Sequence, residues 1–140
     1  MNAPFLAGSV ALAALFAVGS AAPAAARGSE PLGSGINPAR SVEVVMRDCG
    51  TSLCGRIAWS SPQAREDARD GGVAQLVGTE LLQDYRAAGA SDWHGRVLVP
   101  DMDQTFDSHL RLVGVNAIRV SGCMLGGLIC RSQVWTRVAP

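Results

Sequence analysis

The chain has 140 residues, room for one ordinary domain, and its 12 Lys+Arg balance 12 Asp+Glu to a formal net charge of zero. That balance excludes a basic nucleic-acid footprint and a polybasic membrane-surface patch. Every basic residue is Arg, which excludes Schiff-base and P-loop lysine chemistry, and two histidines, His94 and His109, are too few for a three-histidine site.

Residues 1–26 read as an export signal rather than part of the fold. They carry no charged side chain, and the apolar run from Val10 to Val18 fits a signal core. That run is short for a membrane span, which needs about 20 apolar residues. Ala24-Ala25-Ala26, next to Pro23, is a small-x-small cleavage site, and every charged residue lies at or after Arg27. The competing reading is an uncleaved anchor, because Ala-rich sequence extends from Ala3 to Ala26 and no Lys or Arg precedes it. Cleavage leaves residues 27–140 as a single domain, with no membrane span, in the periplasm or outside the cell.

Beyond the leader the pattern is of short strands. Val42–Arg47 alternates, with Val42, Val44 and Met46 on one face. Gly55–Trp59 follows, with Ile57 and Trp59 sharing a face. Residues 60–72 are polar and contain Pro62 and Gly71-Gly72, so a loop with one helical turn around Gln63–Arg69 is expected. Leu76–Tyr85 places Val77, Leu81 and Tyr85 at strand spacing, although Val77, Leu81, Leu82 and Tyr85 also suit a helix. Trp93–Val99 groups Trp93, Val97 and Val99, and a turn follows at residues 100–103. Phe106, Ser108, Leu110 and Leu112 oppose Asp107, His109 and Arg111; Ile118, Val120 and Met124 oppose Arg119 and Ser121. Ile129–Val138 is the last strand. Seven or eight such strands joined by turns form an antiparallel meander, and a meander without a long helix must close into a barrel or a sandwich, because open edges invite aggregation.

The four cysteines, Cys49, Cys54, Cys123 and Cys130, all follow the leader, and an even number in a small exported chain reads as disulfides. The C-x4-C and C-x6-C spacings fit neither a zinc knuckle nor a redox C-x-x-C. Of the three pairings, Cys49–Cys54 with Cys123–Cys130 is expected, since each pair flanks a turn-rich segment. Each short loop is worth about 2 kcal/mol.

Four segments stand out as an ordered set: residues 49–59 (CGTSLCGRIAW), 76–82 (LVGTELL), 93–97 (WHGRV) and 133–137 (QVWTR). Together they resemble an exported bacterial family of unknown function, domain-of-unknown-function family 2147, over roughly Gly33 to Val138. The resemblance implies a small lipocalin/calycin-like antiparallel β-barrel, all-β, in the periplasm, with no established activity or agreed ligand. It also implies a Gly-x-Trp first strand whose Trp packs on an Arg of the last strand and closes the barrel floor. Here the matching stretch from Gly33 to Pro38 has Gly35 or Ile36 at the Trp position, depending on register. Arg137 is the Arg available; either Trp59 or Trp135 replaces the missing indole, or the base of the barrel is looser.

Catalytic constellations do not assemble. Asp107, Ser108 and His109 are consecutive, but neighbours along a strand point to opposite faces, so Ser108 and His109 cannot meet. No Gly-x-Ser-x-Gly elbow is present. Asp101 and Asp103 lack the later ligands of a calcium loop and read as a polar turn whose carboxylates bond their own backbone. His94 and His109 read as solvated surface residues; only if both faced one opening would they make a pH-sensitive or metal-touching pair. No catalytic residue, metal or cofactor is expected.

The last strand divides Arg131, Gln133, Trp135 and Arg137 from Cys130, Ser132, Val134, Thr136 and Val138. If the Arg-Gln-Trp-Arg face points inward, the barrel could hold a partly apolar ligand with a polar head, since Arg grips carboxylate or phosphate; if outward, it is a solvated stripe. Trp59, Tyr85, Trp93, Arg131, Gln133, Trp135 and Arg137 are therefore the candidate cavity residues. A non-catalytic barrel that binds a small apolar or amphipathic molecule is the leading expectation, since barrels of about eight strands have room for one small ligand. The alternative is a structural or interaction module of the cell envelope with a filled barrel; an envelope enzyme ranks third.

Overall fold

The alternating segments pair in the order of the chain. In the computed structural model, which describes Pro31 and residues 33–138, the strands are β1 (Gly33–Ile36), β2 (Val42–Asp48), β3 (Leu53–Ser60), β4 (Glu80–Ala87), β5 (Asp92–Val99), β6 (Gln104–Gly114), β7 (Ala117–Met124) and β8 (Ile129–Arg137). One helix, α1 (Pro62–Gly71), interrupts them between β3 and β4. Each strand pairs antiparallel with the next, and β1 pairs with β8, so the eight strands close into a barrel. Closure removes the open edges that a flat sheet would leave unpaired. The proposed leader, residues 1–26, lies outside the described residues.

This topology sorts the connections to two ends. The segments 37–41, 100–103 and 125–128, together with α1, lie at one end, here the mouth; 49–52, 88–91 and 115–116 lie at the other. The half away from the mouth is filled with apolar side chains: Met46, Leu53, Tyr85, Trp93 and Leu110 are all buried in one cluster. The disulfides pair as expected, Cys49–Cys54 at the filled end and Cys123–Cys130 across the β7–β8 hairpin at the mouth.

Three expectations need correction. The loop at 60–72 is a full helix of 10 residues. Ser61 caps it, its Oγ accepting from the Ala64 amide at 3.1 Å, Pro62 occupies the first turn, and Gly72 ends it at φ 111°. Its apolar face is only Ala64 and buried Ala68, too narrow a stripe to show as helical periodicity. Second, Ile57 and Trp59 do not share a face. Val44 pairs with Ile57 but Glu43 pairs with Trp59, so Ala58 is an extra residue on β3. That bulge turns Trp59 outward and Ser60 inward. Third, Leu76 and Val77 precede the strand, which starts at Glu80. A second bulge, with Asp84 at φ 53°, then brings Tyr85 to the interior three residues after Leu82. Gly95 on β5 makes the space, because a Cβ there would lie 2.7 Å from the Tyr85 ring. The turn at 100–103 also differs in detail: it is closed by backbone bonds, Met102 N–H to the Val99 carbonyl and Asp103 N–H to that of Pro100.

Candidate functional site: a cavity at the mouth of the barrel

Above the filled half, the barrel is hollow. A cavity of about 650 Å³ runs to the mouth end. Its walls are inward side chains of the strands, Val42 from β2, Val97 and Val99 from β5, Phe106 from β6, Val120 and Met124 from β7, together with Leu81 at the irregular start of β4. Ala64 of α1 and Leu76, in the segment after it, add to the apolar lining, as do Leu98, Met102 and Ile129. The volume lies within the range of about 300–1,000 Å³ usual for small-molecule sites.

The last strand settles which of its faces turns in. Val120 pairs with Gln133 and Ile118 with Trp135, and Arg131, Gln133 and Trp135 all line the cavity. They descend in that order from mouth to floor. Trp135 is buried and forms a wall shared by the cavity and by a small depression at the closed end. Arg137 lines that depression with Gly33, Ser34 and Gly35, and Gly35 is its partner across β1–β8. Trp135, not Trp59, is therefore the indole at the barrel floor.

The remaining candidates lie elsewhere. Tyr85 and Trp93 are buried in the filled half and do not line the cavity. Trp59 is 46% exposed on the outer surface, turned there by the Ala58 bulge. Inside the filled half, the Tyr85 hydroxyl donates to Ser108 Oγ at 2.6 Å, and Ser108 donates to the Ser121 carbonyl at 2.5 Å. Burial pushes the Tyr85 phenol up to about 12, partly countered by the bond to Ser108. Ser108 thus faces inward while Asp107 and His109 are exposed.

Charge at the mouth is divided by side. Arg131 stands on β8, whereas Asp67 of α1 and Asp101 line the cavity from the helix and the β5–β6 turn. Among the described residues no carboxylate forms an ion pair with Arg131. The rim loop at 37–41 is held by Asn37, whose Oδ1 accepts from the amides of Ser41 and Val42 at 2.8 and 3.0 Å. The neighbouring rim loop, between β7 and β8, is apolar: Leu125 is 71% and Leu128 86% exposed on the disulfide-tied tip. Leu76, Leu81, Phe106 and Met124 were absent from the sequence-derived cavity set. Phe106 and Met124 were recoverable from alternation; Leu76 and Leu81 were not, because they flank the irregular entry to β4.

Comparisons with known proteins agree with this architecture. A family model described as "Uncharacterized protein conserved in bacteria (DUF2147)" matches residues 34–137. The solved structure of protein HP1028 from Helicobacter pylori, described as belonging to the lipocalin family, superposes with a TM-score of 0.61 at 10% identity. The alignment covers 79% of this chain and 84% of that one, and at such identity the likeness is one of fold. No curated protein matches the sequence.

Proposed function

The chain belongs to the DUF2147 family of uncharacterised bacterial proteins, and on that premise we propose that it is an exported carrier that binds a small amphipathic molecule without converting it. The observation that carries the reading is the cavity of about 650 Å³ with an apolar wall and an unpaired guanidinium, Arg131, beside Gln133. An apolar tail lies along Val42, Leu81, Val97 and Val120 towards Trp135, and an anionic head meets Arg131 and Gln133. Asp67 and Asp101 on the opposite side disfavour a second anion at the mouth.

Export is supported by the two disulfides and by the leader-like sequence of residues 1–26. Among the described residues no helix is long and apolar enough to cross a membrane. The outside of the barrel bears Arg56, Asp84, Arg86, Arg96, Asp107, Arg111 and Arg119, all exposed, unlike the apolar band of a membrane barrel. Binding without catalysis is supported by the placement of Ser108 and His109 on opposite faces of β6.

The exposed Leu125 and Leu128 favour a second reading, an interaction module of the cell envelope. Native mass spectrometry of the protein isolated from its own compartment separates the two. A reproducible adduct of lipid-like mass, lost in an Arg131→Ala variant, supports the carrier; a bare mass under gentle conditions supports the interaction module.

A further inference from the structure

On the outer face of the barrel, remote from the cavity, the register of the β5–β6 hairpin sets His94 directly opposite His109. Their ring centroids are 4.1 Å apart, with the planes at 74°. Both side chains are exposed. None of the side-chain hydrogen bonds among the described residues uses either imidazole, so the ring nitrogens are open to a ligand.

Three of the four arginines around the pair are matched by carboxylates. Arg111 donates to Asp92 at 2.6 Å. Arg86, across from His94 on β4, lies 3.1 Å from Asp84. Arg96 and Asp107 are register partners one step along each strand on the same face. On the β7 side His109 faces the small neutral Ser121, while Arg119 faces Arg111. Arg119 is left as the one unmatched charge, two residues from Ser121 along β7, so a metal ion approaching the imidazoles meets three neutralised pairs and a single exposed, solvent-screened cation.

The spacing suits one shared ion. Two imidazole nitrogens on one ion, each about 2.0–2.1 Å from it, place their ring centroids about 5 Å apart. Exposed side chains on a fixed hairpin reach that by opening about 1 Å through χ rotation. No third His, Cys, Asp or Glu joins them in a metal-ready group among the described residues, so water fills the remaining positions and the ion is exchangeable. Two neutral imidazoles select divalent late transition metals, with Cu²⁺ ahead of Ni²⁺ and Zn²⁺. We propose that His94 and His109 form a two-imidazole site for such an ion, Cu²⁺ foremost, clamped across β5 and β6.

The test uses tag-free full-length protein, in which these are the two histidines of the chain. Cu²⁺ is titrated by calorimetry against glycine as a weak competitor, with electron paramagnetic resonance on the same samples. The expected result is one ion per chain with hyperfine structure from two nitrogens, and a rise in melting temperature, because the paired imidazoles of the folded hairpin bind the ion more tightly than the unfolded chain does. His94→Gln and His109→Gln, both surface changes, are each expected to weaken binding about tenfold or more and to abolish the thermal shift. Cu²⁺ binding of undiminished affinity in either variant, or a one-nitrogen spectrum in the unsubstituted protein, overturns the proposal.

Discussion

The phenol of Tyr85 and the hydroxyl of Ser108 are joined by a 2.6 Å hydrogen bond across the inside of the barrel, and Ser108 spends its own proton on the Ser121 carbonyl. One short chain of polar groups thus ties β4 to β6 and β7 beneath the cavity.

Burial of this phenol predicts an alkaline limit to stability. The folded state holds the Tyr85 proton more tightly than the unfolded chain, its pKa raised by burial from 10.0 to about 12. The contribution is therefore complete below pH about 10 and is lost as pH rises towards about 12, by about 1.4 kcal/mol per unit. Tyr85 is the single tyrosine, so tyrosinate absorbance should stay flat through pH 10 in the folded protein. Ordinary titration near 10 with the fold intact would contradict it. Tyr85→Phe should remove that pH dependence at a cost of about 1 kcal/mol at neutral pH, read by urea unfolding.

The three tryptophans should separate sharply. Trp59 is 46% exposed, whereas Trp93 and Trp135 are each 6% exposed. Trp59→Phe is expected to change stability by less than about 0.5 kcal/mol. Trp93→Ala and Trp135→Ala should each cost about 3–5 kcal/mol by chemical denaturation. A Trp59 substitution as damaging as the other two would place its indole inside after all.

At Gly71 two effects compete. Alanine favours a helix by about 1 kcal/mol, but a Cβ there would collide with the backbone carbonyl of Asp101. Backbone cannot swing aside as a side-chain tip can, so the collision wins. Gly71→Ala should lose about 1–3 kcal/mol and should loosen α1 from the cavity edge, seen as faster amide exchange at residues 62–71 and 100–103. A melting temperature above that of the unsubstituted protein would show the helix free to move.

Ser60 offers a gain. Its Oγ is buried without a hydrogen-bond partner among the described residues, a consequence of the bulge that turned it inward. Leaving a hydroxyl unsatisfied costs about 1–3 kcal/mol, so Ser60→Ala should leave stability unchanged or raise it by about 1 kcal/mol. A clear loss in thermal unfolding would reveal a partner for that oxygen.

Period-two patterning made most of the barrel legible. The inward sets Val44 and Met46, Ser108 and Leu110, and Val120 all follow from alternation alone. Alternation failed where one extra residue entered a strand, at Ala58 and around Asp84, because a bulge reverses every later side chain while leaving composition unchanged. Asp84 at positive φ carried a faint signal, since Asp tolerates that region better than most residues. The orientation of Arg131, Gln133 and Trp135 was open because both faces of β8 mix polar and apolar groups. Pairing with Val120 and Ile118 on β7 decides it. The meeting of His94 with His109 depends on the length of the turn between β5 and β6, which single-strand patterning does not weigh.

The carrier reading rests on the hollow half of the barrel, and Trp135 on its floor is the reporter placed to see it filled. In a Trp59→Phe, Trp93→Phe variant shown by circular dichroism to keep its sheet, titration with dodecanoate should shift Trp135 emission in a saturable manner at one molecule per chain. Arg131→Ala in the same background should weaken dodecanoate about tenfold and leave dodecanol unaffected. Emission indifferent to both compounds, or a response that never saturates, would contradict an accessible binding cavity.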